Sequence, residues 1–208
     1  LGSSFMGIVD KLPRPSYLPV KSVLNLYDKE NDIRYDAYFT TGLIDRQVGD
    51  DIEVTYCSKW PGNPELYEGK SNNVNKLKAF RISEMYLIAA EAYVMLNQED
   101  KASEMLNELK KIRIKGWTET VYNGAALMQE IQDERVRELF AEGNRLFDMK
   151  RWKIGMKRSS SDAQRDDYLP ALGTDIEKEA TDNRWVWPIP KDEMDSNPQL
   201  KGQQNPGY

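Results

Sequence analysis

From Lys78 to Lys157 the chain carries no proline and only four glycines, Gly116, Gly124, Gly143 and Gly155. Proline is what most reliably ends a helix, and the apolar residues of this stretch recur at intervals of three and four, so the region must be largely helical. The spacing predicts a first helix over about Lys78 to Asn97, with Ile82, Met85, Tyr86, Ala89, Ala90 and Tyr93 on one broad face. Asp100 is expected to cap a second helix that reaches about Ile114 and buries Ala102, Leu106, Leu109 and Ile112. A short polar link makes the two an antiparallel hairpin. Its pattern, Tyr86-x-x-Ala89-Ala90-x-x-Tyr93 followed by Ala102-x-x-x-Leu106, matches a tetratricopeptide unit. Small residues let the helix backbones approach, and the tyrosines fill the groove between turns. A less regular hairpin should run from Gly124 to about Lys157, broken near Gly143. A lone unit of this kind cannot bury its own face, so a partner surface is expected.

The flanks read differently. Residues 1–77 form a loop-rich segment punctuated by Pro13, Pro15, Pro19, Pro61 and Pro64, with a short helix over Ser22 to Lys29 and an alternating strand over 32–39. Residues 158–208 become polar and then proline-punctuated, which predicts a tail of extended segments and turns laid on something else. Trp185 and Trp187, beside Pro188, are expected to pack on the helical layer. The predicted fold class is mainly α: tetratricopeptide-like helical hairpins wrapped by long loops and a few short strands.

Composition removes several chemistries. Histidine is absent and Cys57 is the single cysteine, so Ser-His-Asp and Cys-His nucleophiles, histidine-ligated zinc and thiolate clusters are excluded. Cys57 has no histidine to activate it and is expected to be an inert, buried thiol. A net charge of −5 argues against nucleic acid as a partner. Gly49-Asp50-Asp51 would suit calcium, but the twelve-residue calcium-loop pattern is absent, and no metal or cofactor is expected. The longest nearly uncharged stretch, Met85 to Asn97, is too short to span a bilayer.

The densest polar run is Asp133 to Trp152. Glu134, Glu138 and Glu142 stand at successive fours and should line one helical face. They admit two readings: an acid/base pair for glycoside hydrolysis, or carboxylates paired with Arg135, Arg137, Arg145 and Arg151 that fix how helices cross. The interleaved arginines favour the second, because they would lower a carboxyl pKa where a general acid needs it raised. Val136, Leu139, Phe140, Leu146, Phe147 and Trp152 are expected in the core.

Five runs occur together and in order. They are Arg-Ile-Ser-Glu-Met-Tyr-Leu-Ile-Ala-Ala-Glu-Ala (81–92), Leu-Asn-Glu-Leu-Lys-Lys-Ile-Arg (106–113), Glu-Arg-x-x-Glu-Leu-x-x-Glu-Gly-x-Arg-x-x-Asp-x-x-Arg-Trp (134–152), Trp-Pro-Ile-Pro-x-x-Glu (187–193) and the closing Asn-Pro-x-Leu-x-x-Gln-Gln-Asn-Pro-Gly-Tyr (197–208). With Pro15-Ser16, Leu24-x-Leu26-Tyr27 and Asp32-x-Arg34 in the segment near 15–34, they resemble the C-terminal portion of the SusD/RagB family. The resemblance implies a surface-exposed outer-membrane lipoprotein without catalytic activity. Such a protein is built on an α/α superhelix of tetratricopeptide type, captures oligosaccharide or polysaccharide, and acts with a TonB-dependent outer-membrane transporter. Family members are about twice this length or more, so the lipid anchor and the missing N-terminal half of the protein are expected upstream. Within this chain the resemblance implies scaffold roles for Tyr86, Ala90, Tyr93, Ala102, Leu106, Glu134, Glu138, Arg145, Asp148 and Trp152.

Glycan binding needs an aromatic face against a sugar ring, flanked by hydrogen-bonding groups. The best local match is the loop with Tyr56, Trp60 and Tyr67 among Lys59, Asn63 and Glu65, which makes Tyr56, Trp60, Asn63 and Tyr67 the candidate ligand residues. The competing role for Trp60 and Tyr67 is to pin the loop onto the helices; Tyr35 and Tyr38 are equally open. Two other functions fit less of the sequence: a tetratricopeptide adaptor for a peptide partner, and a glycosidase using Glu134 and Glu138.

Overall fold

The computed structural model describes residues 7–9, 12–15, 17–45, 49–63, 65, 75–76, 78–165 and 177–208. Its centre is helical: α3 (Ile82–Met95), α4 (Glu99–Arg113), α5 (Gly124–Glu138) and α6 (Arg145–Trp152). Before them come the paired strands β1 (Gly7–Val9) and β2 (Leu12–Arg14), the short helices α1 (Lys21–Leu24) and α2 (Ile33–Tyr38), and the hairpin β3 (Phe39–Ile44) and β4 (Ile52–Cys57). After them come a two-residue ladder of β5 (Met156–Lys157) with β6 (Glu177–Lys178), and helix α7 (Lys191–Ser196).

Helix α3 ends where Asn97 turns left-handed at φ 56°. The Gln98 amide then donates to the Tyr93 carbonyl and the Asn97 amide to that of Val94, which satisfies the last turn and sends the chain back as α4. Helix α4 carries Glu99 and Asp100 in its first turn and Lys110, Lys111 and Arg113 in its last, so its charges oppose its dipole. Leu87 and Ala90 of α3, Ala102, Leu106 and Leu109 of α4, and Leu127 and Ile131 of α5 form the main core, with Tyr86 and Tyr93 packed at its edge. Within that core Ala90, Ala102 and Leu106 are fully buried. The connection from α4 to α5 is tied to the buried Asn107 amide. Its Oδ1 accepts from Trp117 Nε1 (2.9 Å) and the Thr120 amide (3.1 Å), and its Nδ2 donates to the Ser103 and Thr120 carbonyls, both at 2.9 Å.

A second cluster, Leu24, Tyr27, Tyr38 and Phe39 with Phe140 against it, joins the N-terminal elements to the end of α5. The edge of β4 is closed by Gln164, whose side chain accepts from the Thr55 amide (2.8 Å) and donates to the Thr55 (2.7 Å) and Pro19 (2.8 Å) carbonyls.

Several expectations need correcting. The broad face of α3 is split: Tyr86, Ala90 and Tyr93 face the core, whereas Ile82 and Met85 are exposed. In α4, Ile112 is exposed, and the cap position is Gln98 rather than Asp100, with no side-chain cap. Of residues 32–39 only Phe39, which opens β3, lies in a strand; Ile33–Tyr38 are helical. Asp32 caps a helical turn by accepting from the Arg34 amide, which places Arg34 and Tyr38 four apart on one buried side. The helix expected to run to Lys29 stops at Leu24, and further on the Asp28 carboxylate accepts from the Glu30 and Asn31 amides and makes a turn. Leu146 and Phe147 are exposed, and so is Trp187, at 81%. Trp185 is half-buried, its indole donating to the Glu179 carbonyl. The tail is not merely extended: it contains α7 and a 3₁₀ turn over Pro198–Gln203, and it closes on itself through Gln204 with Ile189 and Asn205 with Trp187.

Candidate functional site

The C-terminus of α5 leaves backbone carbonyls without helical partners, and a cation is favoured there. Three side chains from elsewhere supply the donors. Arg81 Nη2 donates to the Glu138 carbonyl (2.6 Å), Lys59 Nζ to that of Phe140 (2.7 Å), and Trp60 Nε1 to that of Ala141 (3.3 Å). Tyr27 and Tyr38 add their hydroxyls to the Arg137 and Glu138 carbonyls. The loop after β4 is therefore fastened to the turn that follows α5.

Beneath this cap lies a buried ion network. Arg34 holds Asp32 at 2.7 Å, Glu134 at 2.5 Å and Glu138 at 3.0 Å. Arg137 Nε donates to the other Glu134 oxygen at 2.7 Å, and Arg137 and Lys110 share Glu130. Glu138 receives Arg113 through Nε (2.9 Å) and Nη2 (3.0 Å), and Arg81 through Nη1 (2.9 Å). Arg81 and Lys59 both reach Glu142, at 2.8 and 2.6 Å. Burial alone would raise the Glu138 pKa, but the hydrogen bonds and charge of Arg113, with Arg34 behind it, hold the carboxyl down at about 2. Burial pushes the Lys59 ammonium down against the pull of Glu142, and pushes the Tyr38 phenol up to about 12.

This corrects the expected pairing. Of Arg135, Arg137, Arg145 and Arg151, Arg137 is the one paired with Glu134. Arg135 and Arg151 instead hold the two oxygens of Asp148 at 3.0 and 2.9 Å, and Arg151 and the Trp152 indole both reach Glu91. Glu142 lies in the turn beyond α5, where Ala141 is left-handed at φ 57°, so it does not continue the face of Glu134 and Glu138. Arg145 stands exposed at the start of α6. Both oxygens of Glu134 and of Glu138 are occupied by guanidinium groups, and both side chains are fully buried. That geometry fixes helices; it presents no acid or base to a substrate.

The candidate ligand residues are placed unevenly. Tyr56 is half-buried on β4, opposite Thr40 of β3. Trp60 is half-buried with its N–H already used, so the ring is what remains to meet a ligand. Gly62, at φ 84°, turns the chain, and Asn63 Oδ1 accepts from the Glu65 amide at 3.0 Å. Tyr67 lies outside the described residues. Cys57 is buried and its thiol pKa raised by burial. Among the described residues no three carboxylate or cysteine side chains gather as metal ligands, and no helix is long and apolar enough to cross a membrane.

The residues the sequence reading overlooked are Arg34, Arg81 and Arg113. Their partners lie 104, 57 and 25 positions away, beyond any local periodicity. A signal did exist: each falls inside one of the runs on which the resemblance rests.

The model of the SusD family matches residues 40–208. SusD-like protein P25 of Formosa agariphila is 28% identical over 125 residues, which is 58% of this chain and 24% of that protein. A SusD superfamily protein from Bacteroides thetaiotaomicron superposes with a TM-score of 0.71 at 28% identity, over 96% of this chain and 42% of the other. A proposed sugar-binding protein from Bacteroides vulgatus does so with a TM-score of 0.63 at 30% identity, over 90% and 38%. The chain thus spans about a quarter of the curated relative and about two fifths of the solved structures it matches.

Proposed function

The chain belongs to the SusD family, and from that premise we propose that it is the helical C-terminal part of a glycan-binding surface lipoprotein. In this reading the protein is held at the outer membrane through a lipid anchor upstream, captures oligosaccharide or polysaccharide, and hands it to a TonB-dependent transporter. The observation that carries the reading is the family match over residues 40–208, to which the Bacteroides vulgatus relative adds a sugar-binding name. Tyr56, Trp60, Asn63 and Tyr67 are the ligand residues proposed, with Trp60 offering a ring plane that its bond to Ala141 holds in place. The burial and arginine pairing of Glu134 and Glu138 support a role without catalysis. A peptide adaptor would want about three stacked units, against the α3–α4 hairpin and the shorter α5–α6 pair here.

The test is calorimetric titration of a glycan panel, with released reducing sugar assayed in parallel. Saturable binding without turnover is expected. Turnover that disappears in Glu138→Gln would overturn the reading, and so would no binding across the panel by the natural full-length polypeptide.

A further inference from the structure

We propose that the outer side of α6 and the strand β5 after it bind an acidic polysaccharide, carboxylated or sulfated. The inference rests on the glycan-binding reading above and narrows its ligand by charge. Residues 149–158 carry Lys150, Arg151, Lys153, Lys157 and Arg158 and no acid, in a chain whose net charge is −5. A run of one sign set against the sign of the whole makes a local field that draws an anion. Two of the five cations are held: Arg151 by Asp148 at 2.9 Å and by Glu91, and Lys157 by Glu177 across the β5–β6 ladder. Lys150, Lys153 and Arg158 are exposed and meet no carboxylate among the described residues. The dipole of α6 accounts for cations in its last turn, Lys150 and Arg151. It does not account for Lys153, Lys157 and Arg158, which lie at or past the end of the helix.

The residue between the cations says which anion fits. Phe147 is 68% exposed and stands three and four residues before Lys150 and Arg151, so its ring and these cations share the outer face of α6. The inner face is fixed by buried Asp148. A helix that lies in a membrane surface needs a broad apolar face. Here the exposed large apolar residues are Leu146 and Phe147, on a helix about 12 Å long. One ring plane flanked by cations suits a sugar that bears an acid group: the ring meets the apolar face of the pyranose, and a charge-assisted hydrogen bond meets its carboxylate or sulfate. The Ala141 carbonyl, to which Trp60 is fastened, precedes α6 by four residues. The proposed ligand loop and these cations are therefore tied to one short stretch of backbone.

The probes are two pairs of polymers, each with a common backbone: polygalacturonate with its methyl ester, and dextran sulfate with dextran. Titrated calorimetrically against the full natural polypeptide, the acidic member of at least one pair should bind at least about tenfold more tightly than its neutral counterpart, and its affinity should fall as salt rises. The triple variant Lys150→Gln, Lys153→Gln, Arg158→Gln should weaken that binding by about tenfold or more and flatten its salt dependence, with the melting temperature unchanged. Phe147→Ala should weaken it and leave the salt dependence as it was, because the ring carries no charge. Lys29→Gln, Lys115→Gln, Lys191→Gln, a control at three lysines exposed elsewhere, should change neither. Equal affinity within both pairs would overturn the proposal. So would an equal loss in the control variant, or tighter binding to vesicles of anionic phospholipid than to either acidic polymer. Binding of neutral glycans alone would sink this inference and leave the functional reading standing. Turnover of an acidic polymer held by these cations would sink the functional reading and leave this surface in place.

Discussion

Arg113 grips Glu138 with two near-parallel hydrogen bonds, Nε to Oε2 at 2.9 Å and Nη2 to Oε1 at 3.0 Å, and so ties the end of α4 to the end of α5. Arg34 and Arg81 complete the shell around the same carboxylate. Removing that charge leaves three guanidinium groups short of a partner, two of them part-exposed and Arg34 buried. Glu138→Gln should therefore cost about 3–5 kcal/mol in urea denaturation, the range for breaking a buried pair from one side. Arg113→Lys, which loses the fork but keeps the charge, should cost less. A glutamine variant as stable as the parent would remove the network from the account of the fold.

The same carboxylate sets an acid limb. Its folded pKa of about 2 lies below its ordinary value of 4.5. A group depressed in this way contributes fully above its unfolded pKa and loses that contribution as pH falls through the folded one. Stability from Glu138 should hold above about pH 5 and fall away between pH 5 and 2, by on the order of 3 kcal/mol. Urea midpoints taken across that range should decline steeply in the parent and more gently in Glu138→Gln. Parallel slopes would show that Glu138 carries none of the limb.

Much of the helical centre was legible because its rules are local. Proline exclusion and three-four spacing mark α3 to α5, and the small residues Ala90 and Ala102 mark where backbones meet. What could not be read was which apolar residues of α3 face inward. Both of its sides are apolar, so periodicity offers two answers, and the choice is made by α4 and α5. The extended reading of 32–39 failed for a related reason: alternation in a short polar segment lost to a cap at Asp32 and an ion pair between Arg34 and glutamates a hundred residues on. Trp60 was legible as a loop aromatic, but it is half-buried, and its anchor, the Ala141 carbonyl, exists only once α5 has ended.

Ala90 is fully buried between α3 and its neighbours. Adding three carbons there should force the helices apart, so Ala90→Leu is expected to lower stability by about 1–3 kcal/mol by thermal denaturation. Ala92→Leu, on the exposed side of the same helix, should change little.

Gly155 offers a backbone counterpart. A Cβ there would stand 2.8 Å from the Lys178 carbonyl oxygen and 3.2 Å from the Ala180 amide, where β5 meets β6. Neither neighbour is a side chain that can swing away. Gly155→Ala should therefore part the Met156–Lys178 pairing, and the amides of that ladder should exchange faster by hydrogen–deuterium exchange than in the parent, with α3 to α5 unchanged.

Trp60 has two separable duties. Its N–H fixes the loop to Ala141 at 3.3 Å, and its ring is the surface proposed to stack on sugar. Trp60→Ala removes both and should weaken glycan binding by about 1–3 kcal/mol, the scale of an aromatic anchor. Trp60→Phe keeps a ring but loses the donor, so it isolates the pin. If stacking dominates, phenylalanine retains most of the affinity. If the pin dominates, phenylalanine falls as far as alanine, and faster hydrogen exchange in residues 58–63 accompanies the loss. Affinity unchanged in both variants would take Trp60 out of the ligand site and leave it the structural role that its bond to Ala141 already describes.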